Sequence, residues 1–90
     1  MKISGQNGKV NSCGGRIREI RQQKGLSQNA LAVKLQLIGL GMTQKTVSRI
    51  ETGDRVVLDY ELKYFAEVLD VTVGYLLGLE EREPSILGAE

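Results

Sequence analysis

Between Arg16 and Gly78 the chain is cut into short lengths by a recurring pair of signals, a hydroxyl residue suited to starting a helix and a glycine suited to ending one. Ser27, Thr43 and Thr72 are of the first kind; Gly25, Gly53 and Gly78, with Gly39 and Gly41 between them, are of the second. A side-chain oxygen at a helix start accepts from a backbone N–H that the helix itself leaves unpaired, and a glycine past the end takes up a left-handed conformation that other residues resist. Within each length the apolar residues recur at spacings of three and four, and none alternates as a strand would. The pattern therefore predicts several short helices and no sheet.

Five segments follow from it. "RIREIRQQKG" puts Ile17 and Ile20 on one face and stops at Gly25. "SQNALAVKLQLIG" has Ser27 as its cap and a stripe of Ala30, Leu31, Ala32, Leu35 and Ile38, which predicts a helix from Gln28 to near Ile38. Thr43 opens the third, "QKTVSRIET", and Gly53 closes it. The fourth starts near Asp59 and carries Leu62, Phe65, Ala66 and Leu69; the fifth, "VGYLLG", starts after Thr72 with Val73, Leu76 and Leu77 expected to face inward. Helices this short are not stable singly in water, so their stripes must pack together. An all-α domain of five helices results, and 90 residues suffice for one such domain. We place it at residues 14–78, between an N-terminal arm at 1–13, rich in Gly, Ser and Asn and expected to be flexible, and an acidic C-terminal tail at 79–90 containing the sole proline, Pro84.

Composition narrows the function. There is no histidine, and Cys13 is alone, so neither a disulfide framework nor a cysteine-rich zinc site can form within one chain, and a nucleophilic thiol has no histidine partner. Cys13 reads as a free thiol on the arm. No acid, base and nucleophile cluster, so no enzyme activity, metal or cofactor is expected. The chain contains neither a membrane-length apolar run nor the apolar centre of a secretory signal, which predicts a cytoplasmic protein with no membrane partner. The net charge of +1 hides a division: residues 1–55 hold ten Lys or Arg against three acids, and residues 56–90 hold two against eight. Clustered cations of that kind suit a phosphate backbone, although a solvated surface carries charge as well.

The third segment gives the sharpest signal. At about 100° per residue, Val47 and Ile50 mark one narrow apolar side, with Lys45, Arg49 and Thr52 opposite and Ser48 beside them. Gln44 stands at the start. Arg and Lys match guanine O6 and N7, and Gln matches adenine N6 and N7, so this face could read a major groove. Two further charges need partners. Arg21 follows Ile20 and Glu51 follows Ile50, so each lies about 70° from the centre of its helix's apolar face, at the margin of the core. A charge there is costly unless paired, which predicts an Arg21–Glu51 ion pair between the first and third helices.

The order of these parts, "LSQNALAVKL", a glycine-containing turn and "TQKTVSRIETG", resembles the bipartite helix-turn-helix of the lambda-repressor and Cro-like (XRE-type) family, and "RIREIRQQKGLSQ" and "LKYFAEVLDVTVGYLLG" look like that family's flanking helices. The resemblance covers roughly Arg16 to Gly78. It implies a sequence-specific double-stranded DNA-binding transcriptional regulator, a repressor of bacterial or phage type. Gln44, Lys45, Arg49 and Gln28 would then be base readers. Ser27, Thr46, Ser48 and Arg55 would be backbone or supporting contacts, and the Arg21–Glu51 pair is implied as well. A homodimer would place two reading helices about 34 Å apart on a two-fold site, and Tyr75, Leu76, Leu79 and Ile86 are candidates for its surface. The chain departs from the family at "QLIGL", Gln36 to Leu40, an apparent insertion that either lengthens the second helix or widens the turn. The alternative is a protein-interaction module, antitoxin-like partner binding included, in which the same scaffold holds a regulatory partner and reads no DNA.

Overall fold

The computed structural model describes residues 8–81. Among them are five helices, α1 (Gly14–Gln23), α2 (Gln28–Leu37), α3 (Gln44–Thr52), α4 (Asp59–Leu69) and α5 (Val73–Leu76). The starts of three of them are capped by hydroxyls: Ser27 Oγ accepts from Ala30 N at 2.9 Å, Thr43 Oγ1 from Thr46 N at 3.2 Å and Thr72 Oγ1 from Tyr75 N at 2.9 Å. Glycines follow the ends of α1, α2, α3 and α5 as expected, whereas α4 ends on Asp70, itself in the left-handed region. At the end of α1, Gly25 N donates to Gln22 O and Leu26 N to Arg21 O, both at 3.0 Å, with Gly25 in the left-handed region.

One start differs from the sequence reading, and another, α4 at Asp59, falls where expected but has a cap that the sequence reading did not name. α1 begins at Gly14, two residues before Arg16, because Asn11 Oδ1 accepts from Gly14 N at 2.8 Å and supplies the cap from outside the helix. α4 has Leu58 as its N-cap, which has no oxygen to offer; Glu61 reaches back instead and accepts from Leu58 N at 3.0 Å. The expected looseness of the arm does not hold for residues 8–13. Val10 N donates to Gly53 O, Asn11 is hydrogen-bonded on both ends of its amide, and Cys13 is buried. Residues 1–7 of the arm and 82–90 of the tail, Ile86 and Pro84 with them, lie outside the described residues.

The core is one cluster in which Ile17 and Ile20 of α1, Leu31 and Leu35 of α2, Val47 and Ile50 of α3, Phe65 and Leu69 of α4 and Leu76 of α5 are fully enclosed. Each such side chain contributes about 1.5–3 kcal/mol relative to an exposed position, which holds elements that would melt singly. α1 packs on α3, α4 and α5, and α2 on α3 and α4; α3 itself rests on α1 and α2. Leu77, expected to face inward, is exposed and borders an open cleft of about 400 Å³ with Val10, Cys13, Val57 and Leu62. The cause is that α5 ends at Leu76 after a single turn, so Leu77 falls outside its inward register.

The "QLIGL" stretch is divided between helix and turn: Gln36 and Leu37 form the end of α2, and Ile38 to Leu40 belong to the turn. α2 stops at Leu37, Gly39 takes φ +106°, and Leu40 N returns to Leu35 O at 2.9 Å. Leu40 and Met42 then tuck into the core, while Gln36 Nε2 donates to Met42 O at 2.6 Å and holds the loop against α2. Leu37, at 80% exposure, adds nothing to the core.

Candidate nucleic-acid interface

Thr43 and Gly53 fix the two ends of α3, and Val47, Ile50 and the buried Glu51 fix its rotation, so the residues between them have no freedom to choose a face. Gln44, Lys45, Arg49 and Thr52 are exposed, with Thr46 and Ser48 half-buried at the edges. Among the described residues neither Lys45 nor Arg49 has a carboxylate within ion-pairing distance. Two uncompensated cations on one rigid helix face are therefore open to an anion. Thr46 is less free, since its hydroxyl lies 3.0 Å from that of Thr43. Thr52 turns its hydroxyl to Arg49 O and Asp54 Oδ2, at 3.2 and 3.1 Å, and so stiffens the end of the helix.

Beneath this face runs a chain of polar groups. Arg21 Nε donates to Glu51 Oε2 at 2.6 Å and its Nη2 to Glu51 Oε1 at 3.0 Å, while Nη1 reaches Leu26 O at 2.7 Å. Both charged residues are buried, at 8% and 5% exposure, and a two-point bridge in so little water resists separation. Gln28 Nε2 donates to the same Glu51 Oε1 at 3.0 Å, and Gln44 Nε2 donates to Gln28 Oε1 at 2.6 Å. Four residues named from the sequence thus form a continuous line from the core margin to the open face of α3. Ser27 caps α2 and does not join it.

Arg55 is placed differently. Its guanidinium forks onto Glu61, at 2.9 and 3.1 Å, and also donates to Val56 O at 3.0 Å, so it braces the α3–α4 loop. Burial disfavours the Glu61 carboxylate. The Arg55 hydrogen bond, the Leu58 N–H and the Arg55 charge together outweigh it and hold Glu61 below the usual carboxylate range, and the Glu61 hydrogen bond in turn raises Arg55. Neither Glu61 nor Asn11 stood out in the sequence. Asn11 gave one usable signal, an amide three residues before a helix start, which the two glycines that follow it disguise. Cys13 is the opposite of a reactive thiol: burial pushes it up to about 11, with its backbone hydrogen bond opposing only in part.

The cleft beside Cys13 is lined by Val10, Asn11, Ser12, Cys13, Val57, Leu62 and Leu77, a set with no charged side chain. Among the described residues no three His, Cys, Asp or Glu side chains group to hold a metal ion, and no helix is long and apolar enough to cross a membrane.

No curated protein and no solved structure matches the chain. A family model described as a helix-turn-helix domain matches residues 13–83, from the start of α1 to beyond α5. Since that span is most of the chain and contains α2, α3 and the turn joining them, the protein belongs to the helix-turn-helix domain family.

Proposed function

We propose that the protein is a sequence-specific double-stranded DNA-binding transcriptional regulator of the lambda-repressor and Cro-like type, acting as a repressor by occupying its site. The observation that carries this reading is the open face of α3, with Gln44, Lys45 and Arg49 exposed and both cations unpaired among the described residues. On this reading α3 enters the major groove, with Gln44, Lys45 and Arg49 reaching base edges and Gln28 supporting from the start of α2. Ser48 at the flank and Ser27 and Thr46 at the helix starts bear on the backbone, which sets register and affinity but carries no sequence. Arg55, forked onto Glu61, acts by holding the loop after α3. Half-sites on a two-fold operator would be served by a homodimer.

The test is selection of sites from a random duplex pool by the purified protein at near-physiological salt, with Arg49→Ala alongside. An enriched site that Arg49→Ala loses supports the reading, and a palindrome gives the half-site spacing. Absence of enrichment overturns it and favours the protein-interaction module.

A further inference from the structure

An amide side chain can usually turn either end toward a neighbour, because it is both donor and acceptor. Gln28 has no such choice. Its neighbour Glu51 is a carboxylate with no hydrogen to give, so only Nε2 can approach it, as it does at 3.0 Å. Glu51 is itself fixed, buried and bridged at two points by Arg21. With Nε2 committed to Glu51, it is Oε1 of Gln28 that faces Gln44, and Gln44 must answer with Nε2, at 2.6 Å. Gln44 is then left with one N–H and its Oε1, a donor beside an acceptor, on the exposed side of α3.

We propose that Glu51 is a positioning residue for base choice: acting through Gln28, it fixes which way round the Gln44 amide stands, and so fixes the base that Gln44 accepts. A donor beside an acceptor matches adenine, with its N7 acceptor and N6 donor. Guanine offers two acceptors, O6 and N7, and would need two N–H groups. Gln44 can present two only by turning Oε1 to Gln28, which would set oxygen against oxygen unless Gln28 also turned; Gln28 would then set its own oxygen against Glu51. The buried carboxylate thereby rejects guanine at a base it never touches.

This inference rests on α3 being the base-contacting helix, and the experiment separates the two. Site selection is run with the wild type, Gln44→Ala, Glu51→Gln and Gln28→Met, each checked for folding by circular dichroism. The wild type is expected to enrich a site in which one position, levelled by Gln44→Ala, prefers adenine over guanine by about tenfold or more. In Glu51→Gln the new amide can donate to Gln28 Oε1, both glutamines can reverse, and that position falls to within about twofold between the two purines, while positions lost with Arg49→Ala keep their preference. Gln28→Met keeps the Arg21–Glu51 bridge and a side chain of similar length, and it frees Gln44 with the same result. Should Glu51→Gln fail to fold, Gln28→Met alone decides. An adenine preference that survives in the folded variants, or no adenine at the Gln44-dependent position of the wild type, overturns the role of Glu51 and leaves the DNA reading standing. A wild type that enriches no site overturns both.

Discussion

Gly14 and Cys13, adjacent in the chain, give opposite lessons about reading single residues. By helix propensity alone Gly14→Ala should stabilise α1 by up to about 1 kcal/mol. At this position, however, a Cβ would collide with the Ile50 carbonyl of α3, so the glycine is what permits the close approach of the two helices. We expect Gly14→Ala to lower the melting temperature in spite of its better propensity, as thermal denaturation followed by circular dichroism would show. Cys13 is enclosed and its thiol pushed up to about 11, so at pH 8 little thiolate exists and little of it is accessible. A disulfide reagent should label it slowly in the native protein and rapidly in urea. Fast native labelling would mean that the segment before α1 opens readily.

At the scale of elements, two ion pairs do different work. Arg21–Glu51 fastens α1 to α3 inside the protein, and Glu51→Ala leaves a buried cation unpaired, for which a loss of about 3–5 kcal/mol is expected in urea unfolding. Arg55–Glu61 fastens the α3–α4 loop to α4. Because Glu61 is lowered in the folded state, the unfolded chain binds its proton first as pH falls. The stability from this pair is complete above the ordinary carboxylate value near 4.5 and is lost as pH drops through the lower folded value. Thermal melts from pH 6 to 3 should therefore fall less steeply for Glu61→Gln than for the wild type. The first pair was legible in the sequence because each charge sits at a fixed angle from an apolar residue on its own helix. The second was not, since Arg55 lies in a loop whose course no periodicity announces. For the same reason the helices with hydroxyl starts and glycine stops could be drawn from the sequence nearly to the residue, whereas the start of α1 could not, and α4, though placed near Asp59, gave no sign of its cap: the caps come from Asn11 and Glu61, through contacts that depend on the folded path.

The whole molecule is electrically uneven, with ten cations against three acids in residues 1–55 and the reverse tendency beyond. If about four phosphates are neutralised per protomer, the affinity of one protomer for its half-site should fall about a hundredfold between 50 and 200 mM salt, and that of a dimer for a two-fold duplex about ten-thousandfold. Lys45→Ala and Arg49→Ala, both placed at base edges, should then each relax the sequence preference when binding to variant sites is titrated against salt. A residue that contacts phosphate lowers affinity for all sequences and flattens the salt slope by about one unit, whereas a base reader relaxes the sequence preference. The long turn between α2 and α3 bears on the same scale, because Leu40 and Met42 anchor it to the core and leave Leu37 bare on the surface.

Asn11 joins parts of the chain that are distant in sequence: its two amide hydrogens go to Ile50 O at 3.0 Å and Arg55 O at 2.8 Å, and its oxygen takes Gly14 N. Side-chain amides hydrolyse slowly on storage, and asparagine followed by a small residue, as Asn11 is by Ser12, is the commoner victim. Hydrolysis here would turn a donor between two carbonyls into a charged acceptor facing both. The protein would then carry a clock in the junction beneath α3, one that folding protects for as long as the amide stays bound at both hydrogens.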